Sequence, residues 1–394
     1  MNSTENTSLN PRIVEHLRFV MTLDKLTEYL SAVICLPGAI FNAILIFLIL
    51  KRTPPQMKSY AVYLLNFAFF DFATCIISFF SCQKVIFSGF SLIYVFHGPC
   101  KHISAWFCYF CHSFECHTLA HSQWILFGSF MYRYLVLRGE TPSAKDLLRY
   151  SAAFYSMSFC FLVFYSFARS DSEELLEVMA SLHPEYHYDD KTIWKSEYSG
   201  ILETVESQFV YLDLVLSGNI SVFSPIAFIS IMYMTFPCVP IYCAILWFRH
   251  NTLSVLNNPN LNLSPVTRGS HQKLIRALTV QAAIPIFWLV ASGIFTLAEF
   301  GFISGPIPEN ITFRLMDCIP MVSPIATILF IQPYRDGLLN FFLKGTGLFV
   351  PHTIGSSVVD VRTSKHTDRQ ITHFSKHPLV PTQPPPPSPT NSLM

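Results

Sequence analysis

Apolar residues along this chain come in long blocks, too long for strands and too uninterrupted for one face of a soluble helix. Seven blocks reach the roughly 20-residue length that a helix needs to cross a bilayer's hydrocarbon core: 28–50, 61–83, 103–130, 147–168, 222–248, 274–300 and 311–332. Lipid offers the backbone no hydrogen-bond partner, so each block is predicted to be a helix that satisfies its own N–H and C=O groups. The apolar stretch Val85–Phe96 is too short to span and reads as a loop near the membrane surface. The predicted fold class is an all-α membrane protein, a seven-transmembrane helix bundle over 28–332. Flanking it are an N-terminal segment 1–27, a short amphipathic helix 333–347 and a polar tail 348–394.

Composition supports this and excludes a soluble fold. Hydrophobic residues make up 51% of the chain and charged residues only 13%, against about 25% charged in an ordinary soluble domain. The formal net charge of +1 points to no nucleic-acid partner. Charge is segregated by loop. Lys51, Arg52 and Lys58 in one short loop, and Arg249, Arg268, Lys273 and Arg276 in another, have no acid beside them, whereas residues 171–221 hold 11 acids and two bases. Basic loops stay cytoplasmic, which puts the N-terminus outside, the acidic loop outside and the C-terminus inside. Sequons at Asn2, Asn6, Asn219 and Asn310 fall on the outer side; Asn2, Asn6 and Asn310 are the expected glycosylation sites, with Asn219 close to the membrane. Asn262 lies in an inner loop and is expected to stay unmodified. The first 27 residues carry Arg12, Glu15, Arg18, Asp24 and Lys25 and no apolar signal core, so the first span is expected to target the chain. The tail ends in a Pro-rich run over 381–389, expected to be an extended solvated segment with a polyproline ligand as the alternative.

Ionisable groups inside a span cost about 2.5–3.5 kcal/mol each and mark function. Asp71 lies in the middle of the second block with Asn66 before it, and Asn42 lies in the first. Their pairing resembles the rhodopsin-like receptor superfamily. The third helix, continued past its apolar block, ends Tyr132-Arg133-Tyr134, where that superfamily has Asp-Arg-Tyr, and Ser323-Pro324-Ile325-Ala326-Thr327 stands in the place of Asn-Pro-x-x-Tyr. The resemblance implies that Arg133, with Tyr132 and Tyr134, meets a G protein. It also implies that Asn42, Asn66, Asp71, Ser122 and Ser323 form an intramembrane polar network. Pro285 and Pro324 read as helix hinges.

A closer match runs from about 28 to 345. Gly98-Pro99-Cys100, the run Met131-Tyr132-Arg133-Tyr134-Leu135-Val136-Leu137, Leu278-Thr279-Val280-Gln281 with Pro285, His183-Pro184-Glu185-Tyr186 and the closing Pro333-Tyr334-Arg335 resemble the nematode serpentine receptors of class delta. That resemblance implies a chemosensory receptor in the plasma membrane of sensory cilia. Its expected partners are a small-molecule ligand, a heterotrimeric G protein and membrane lipid; the oligomeric state is left open.

Glu115 stands 18 residues before Arg133, about 27 Å along a helix. With Cys111, His112 and Trp288 it forms the expected ligand-contact set, against the alternative that Glu115 makes only an interhelical hydrogen bond. The usual bridge between the third span and the long outer loop cannot form, because 171–221 contains no Cys; Cys82, Cys100 and Cys108 are the candidates for another. Cys108-x-x-Cys111-His112 matches a haem-attachment pattern, but nothing else supports haem, and no metal or other cofactor is expected. No phosphate loop, nucleophile elbow or zinc-protease motif occurs, so no enzyme is expected. The rival function classes are a ligand-gated seven-helix channel and a transporter.

Overall fold

The computed structural model describes residues 11–140, 142–186, 215–257 and 279–345. Asn2, Asn6, Asn262, most of the acidic loop and the tail lie outside them. Ten helices and three strands are described among these residues, in the order α1 (Pro11–Arg52), α2 (Lys58–Ser81), β1 (Gln83–Ser88), β2 (Ser91–Phe96), α3 (Ala105–Leu137), α4 (Ala144–Ser166), α5 (Ser172–Leu182), β3 (Val215–Asn219), α6 (Pro225–Thr235), α7 (Cys238–Asn257), α8 (Ile286–Glu299), α9 (Pro306–Phe330) and α10 (Gln332–Gly345).

Six helices are long and apolar enough to cross a membrane: α1, α2, α4, α6 with α7, the segment Thr279–Glu299 that contains α8, and α9. The remaining bundle helix, α3, has 33 residues but is not among these six, and carries buried His112, Glu115, His117 and His121. It sits at the centre, against α2, α4 and α7, and its polar groups face other helices. Thr74 donates to Thr118 at 2.8 Å, and a ring nitrogen of His117 meets the Ser158 carbonyl at 2.9 Å. A helix shielded from lipid by its neighbours can carry such residues.

Proline breaks the fifth and sixth spans. α6 ends before Pro237, and α8 begins directly after Pro285. In α9 the helix continues through Pro324, which has no N–H to offer the carbonyl of Pro320. The Asn42 amide from α1 donates to that carbonyl at 2.8 Å. At Gly38 an added Cβ would sit 2.7 Å from the Cys75 sulfur and 3.3 Å from the Met321 Cα, so this glycine permits the close approach of α1, α2 and α9.

Two expectations fail at one end of the bundle. Val85–Phe96 is not a surface loop: with Gln83 and Lys84 it forms an antiparallel hairpin, β1 on β2, which β3 extends to three strands. The turn needs a positive φ only at its first central residue, Gly89 (φ 64°), as in a type II′ turn. Both faces of the sheet are covered. Val85, Leu92, Tyr94 and Phe96 point into the bundle, while Ile86, Ile93, Val95 and Leu216 pack under α5 and the start of α1. Nor is 1–27 wholly separate from the first span, because α1 begins at Pro11. Leu17, Val20, Met21, Asp24 and Thr27 are its buried residues there, on a helical stripe that lies over the sheet.

One titrating group in this cap has a consequence for stability. His97, just after β2, lies 3.8 Å from both Asp24 and Glu28. Burial nevertheless lowers its pKa to about 4, against the pull of Asp24, and the nearby Lys84, Lys101 and Arg314 lower it further. The folded state therefore binds this proton less readily than the unfolded chain, whose histidine titrates near 6.5. Stability from this group is complete above about pH 6.5 and is lost as pH falls towards 4. Between pH 7 and pH 5 the loss is about 2 kcal/mol. Thermal melting of the purified protein at the two pH values should show it, and His97→Gln should flatten the difference.

Candidate functional site

Beneath the sheet is a cavity with about 560 Å³ of empty space, its open mouth included. Its roof is Leu92 and Tyr94 of β2; its walls are His112 and Cys116 of α3, Phe161 and Tyr165 of α4, Ser230, Ile231, Met234 and Thr235 of α6, Trp288, Ser292 and Phe295 of α8, and Thr312, Phe313 and Met316 of α9. The Tyr94 and His112 rings lie 4.0 Å apart, centre to centre. The Tyr94 and Tyr165 hydroxyls share a hydrogen bond at 3.0 Å, and Tyr165 lies 3.5 Å from His112 Nε2. Burial holds the Tyr94 phenol well above its ordinary pKa, so the roof is uncharged. No Asp, Glu, Lys or Arg lines the cavity.

The four expected ligand contacts divide here. His112 and Trp288 line the cavity; Cys111 and Glu115 do not. Glu115 belongs to a buried polar cluster outside the lining, where one carboxylate oxygen accepts from Ser81 at 3.2 Å and from Gln83 at 3.1 Å. The interhelical hydrogen bond, extended to the sheet through Gln83, is what the structure shows for this carboxylate. The same cluster holds Arg314 and Asp317 of α9, an ion pair at 2.8 Å. Ser78 donates to Asp317, and Arg314 donates to the Gln83 carbonyl at 3.4 Å. α2, α3, α9 and β1 are thus tied together below the roof.

Deeper in the bundle, Ser122 donates to Asp71 at 3.1 Å and Ser323 lies beside the same carboxylate. Asn42 makes no contact with this group among the described residues and donates instead to the Gly38 and Pro320 carbonyls, at 2.9 and 2.8 Å. Asn66 is not part of it and instead meets His121 Nε2 at 3.1 Å. At the opposite end from the sheet, Arg133 is buried and donates to the Tyr60 hydroxyl, with its guanidinium 4.4 Å from the centre of the Tyr60 ring. Tyr132, in the place of an acid, stacks on Tyr60 at 6.0 Å. Tyr134 faces the other way, towards Trp247 and Phe248 of α7.

Residues 27–340 match the family described as the serpentine type 7TM GPCR chemoreceptor Srd. The chain belongs to this family. It is 68% identical to serpentine receptor class delta-2 of Caenorhabditis elegans over 355 residues, which cover 90% of this chain and 94% of that one. It is 53% identical to class delta-1 over 86% of each chain, and 40% identical to class delta-3 over 89% of this chain and 95% of the relative, both from the same organism. This serpentine receptor is therefore a multi-pass membrane protein of a chemoreceptor family, not of an enzyme family.

Of the three disulfide candidates, Cys100 and Cys108 are bonded, which ties the turn after β2 to the start of α3; Cys82 is free and buried. The bond also removes Cys108 from any haem or metal site. Asn310 is corrected as a glycosylation site. It lies inside α9, 5% exposed; its amide oxygen accepts from Thr27 at 2.8 Å and its nitrogen donates to the Pro306 carbonyl at 2.8 Å, so no atom is free to carry a sugar. Asn219 is likewise buried in β3 and donates to the Ala168 carbonyl at 2.7 Å.

Several polar residues that organise the serpentine receptor escaped the sequence reading. Arg314 and Asp317 stand three apart in an apolar block, the spacing of a helical ion pair, and that was their visible signal. Asp24 and Lys84 form a buried pair at 2.6 Å across 60 residues. Nothing local announces it.

Proposed function

We propose that this receptor binds a small molecule in the cavity beneath the sheet and activates a heterotrimeric G protein at its Arg133 end. The observation that carries the reading is an uncharged, aromatic-lined cavity and a buried arginine at opposite ends of α3. His112 and Arg133 are 21 residues apart on that helix, roughly 30 Å. A ligand seated against α3, α8 and α9 would favour one arrangement of these helices over another. α8, which begins directly after Pro285 and packs far more on α9 than on the sheet, is the element freest to move.

In this reading the sheet end and the N-terminus are extracellular, with glycans on Asn2 and Asn6, and the basic loops and C-terminal tail are cytoplasmic. α10 packs Tyr334 against Thr53, hydroxyl to hydroxyl at 2.9 Å, and leaves Leu339 and Phe341 exposed, as suits a helix on the inner leaflet. The Asp71, Ser122 and Ser323 group would relay movement along the bundle. Sensory cilia are the proposed site of action.

The test is a G-protein activation assay in a heterologous cell against a broad odorant and metabolite panel, with membrane current recorded in parallel. Ligand-dependent nucleotide exchange supports the reading. A ligand-evoked current that persists with G proteins blocked contradicts it and favours a ligand-gated channel.

A further inference from the structure

The cavity's exposure is uneven. Its lining from β2, α3, α4 and α9 is buried throughout, whereas Ile231, Met234 and Thr235 on α6 and Ser292 and Phe295 on α8 are partly exposed. The opening therefore lies in the side wall, between α6 and α8. α6 packs on α4, and α8 packs on α9, more closely than α6 and α8 pack on each other. The outer faces of the two helices that flank this gap are apolar: Ile229 and Met232 on α6 and Val290 and Leu297 on α8 are exposed. Both helices belong to segments apolar enough to cross a membrane. The sheet end, in contrast, is closed. Every residue of β2 is buried, and α5 and the start of α1 cover the sheet's outer face.

We propose that the cavity takes an uncharged, predominantly apolar molecule that arrives through the bilayer, by way of the gap between α6 and α8. This rests on the reading of the cavity as the receptor's ligand site. The chemistry of the lining sets the class. An ionised ligand would lose its hydration and find no opposite charge, since Glu115, Arg314 and Asp317 are engaged in their own cluster. Trp288 supplies a buried indole N–H whose neighbour is the Cys238 sulfur, a weak acceptor, and which meets no oxygen acceptor within hydrogen-bond distance among the described residues. A single acceptor oxygen, as in a ketone, ether or ester, would meet it.

The experiment uses the full-length receptor in phosphatidylcholine nanodiscs at neutral pH. The probes are an ω-bromo undecyl methyl ketone and the ω-bromo carboxylate and ammonium compounds of equal length. Quenching of Trp288 emission by bromine is read as the difference between wild type and Trp288→Phe. Saturable quenching by the ketone is expected, with the charged probes weaker by about tenfold or more. Ser292→Phe, at the mouth, should slow the quenching by a similar factor. Thr235→Phe on the facing rim is the second variant, should the first lower the melting temperature. Equal quenching by a charged probe, no saturable quenching by the ketone, or an unchanged rate in the folded mouth variants overturns the proposal. Selective quenching without G-protein activation sinks the receptor reading and leaves this inference standing. Activation by a permanently charged, water-borne compound that depends on His112 does the reverse.

Discussion

Lys84→Met is expected to lower the stability of the receptor by about 3–5 kcal/mol, enough to remove most of it from the cell surface. Lys84 is fully buried and Asp24 is 4% exposed, and the ammonium donates to both carboxylate oxygens, at 2.6 and 2.7 Å. Removing the cation leaves a buried carboxylate whose other neighbours are the Asn310 amide at 3.4 Å and His97 at 3.8 Å. Neither replaces a full positive charge. Asp24→Asn alone should also destabilise, by taking from the buried ammonium the carboxylate that meets it with both oxygens. The double variant Asp24→Asn with Lys84→Met should recover much of the surface expression, because it removes both desolvation costs together. Melting temperature and surface abundance of the two single variants and the double variant complete the cycle. If the two losses simply add, the pair does not join the start of α1 to the sheet.

The second large effect is at Arg133. On the proposed coupling role, Arg133→Ala should reduce G-protein activation by about a hundredfold or more at preserved surface expression, the equivalent of roughly 3 kcal/mol. In the present arrangement the guanidinium is held by the Tyr60 hydroxyl and ring rather than by a neighbouring acid. Tyr60→Phe keeps the ring and removes the hydroxyl. One hydrogen bond to a charged group is worth about 1.5–3 kcal/mol, so this change should raise ligand-independent activation about tenfold. Basal nucleotide exchange in membranes measures it. Unchanged basal activity would show that Tyr60 does not restrain the arginine.

The two effects differ in how visible their residues are in the sequence. Arg133 stands between two tyrosines just past a long apolar block, and its place is legible from the run itself. The Asp24–Lys84 pair is not, because its partners lie in segments with no local reason to meet. The hairpin is harder still. A strand with one wet face shows alternation, but β1 and β2 are buried on both faces. Their residues read as a continuous apolar run, which periodicity alone does not assign. The early start of α1 did leave a trace, in the helical spacing of Leu17, Met21 and Asp24, which the surrounding charges obscured. Asn310 shows the opposite error. A three-residue sequon carries no information on burial, and this one falls inside a helix, where its amide serves Thr27 and Pro306.

For the ligand contacts, spacing along α3 put His112 and Glu115 at the right height, but height does not fix which face a side chain uses. Three residues of separation turn Glu115 towards Ser81 and Gln83, while His112 meets Tyr94 and Phe313.

That division gives the most direct test of the central claim, that the roofed cavity and not the Glu115 cluster receives the ligand. It is the dose–response for G-protein activation by the first active compound, compared in wild type, His112→Ala and Glu115→Gln at matched surface expression. The account predicts a midpoint shifted by about tenfold or more in His112→Ala, with the midpoint of Glu115→Gln close to that of wild type. A midpoint that moves in Glu115→Gln and stays fixed in His112→Ala would contradict it.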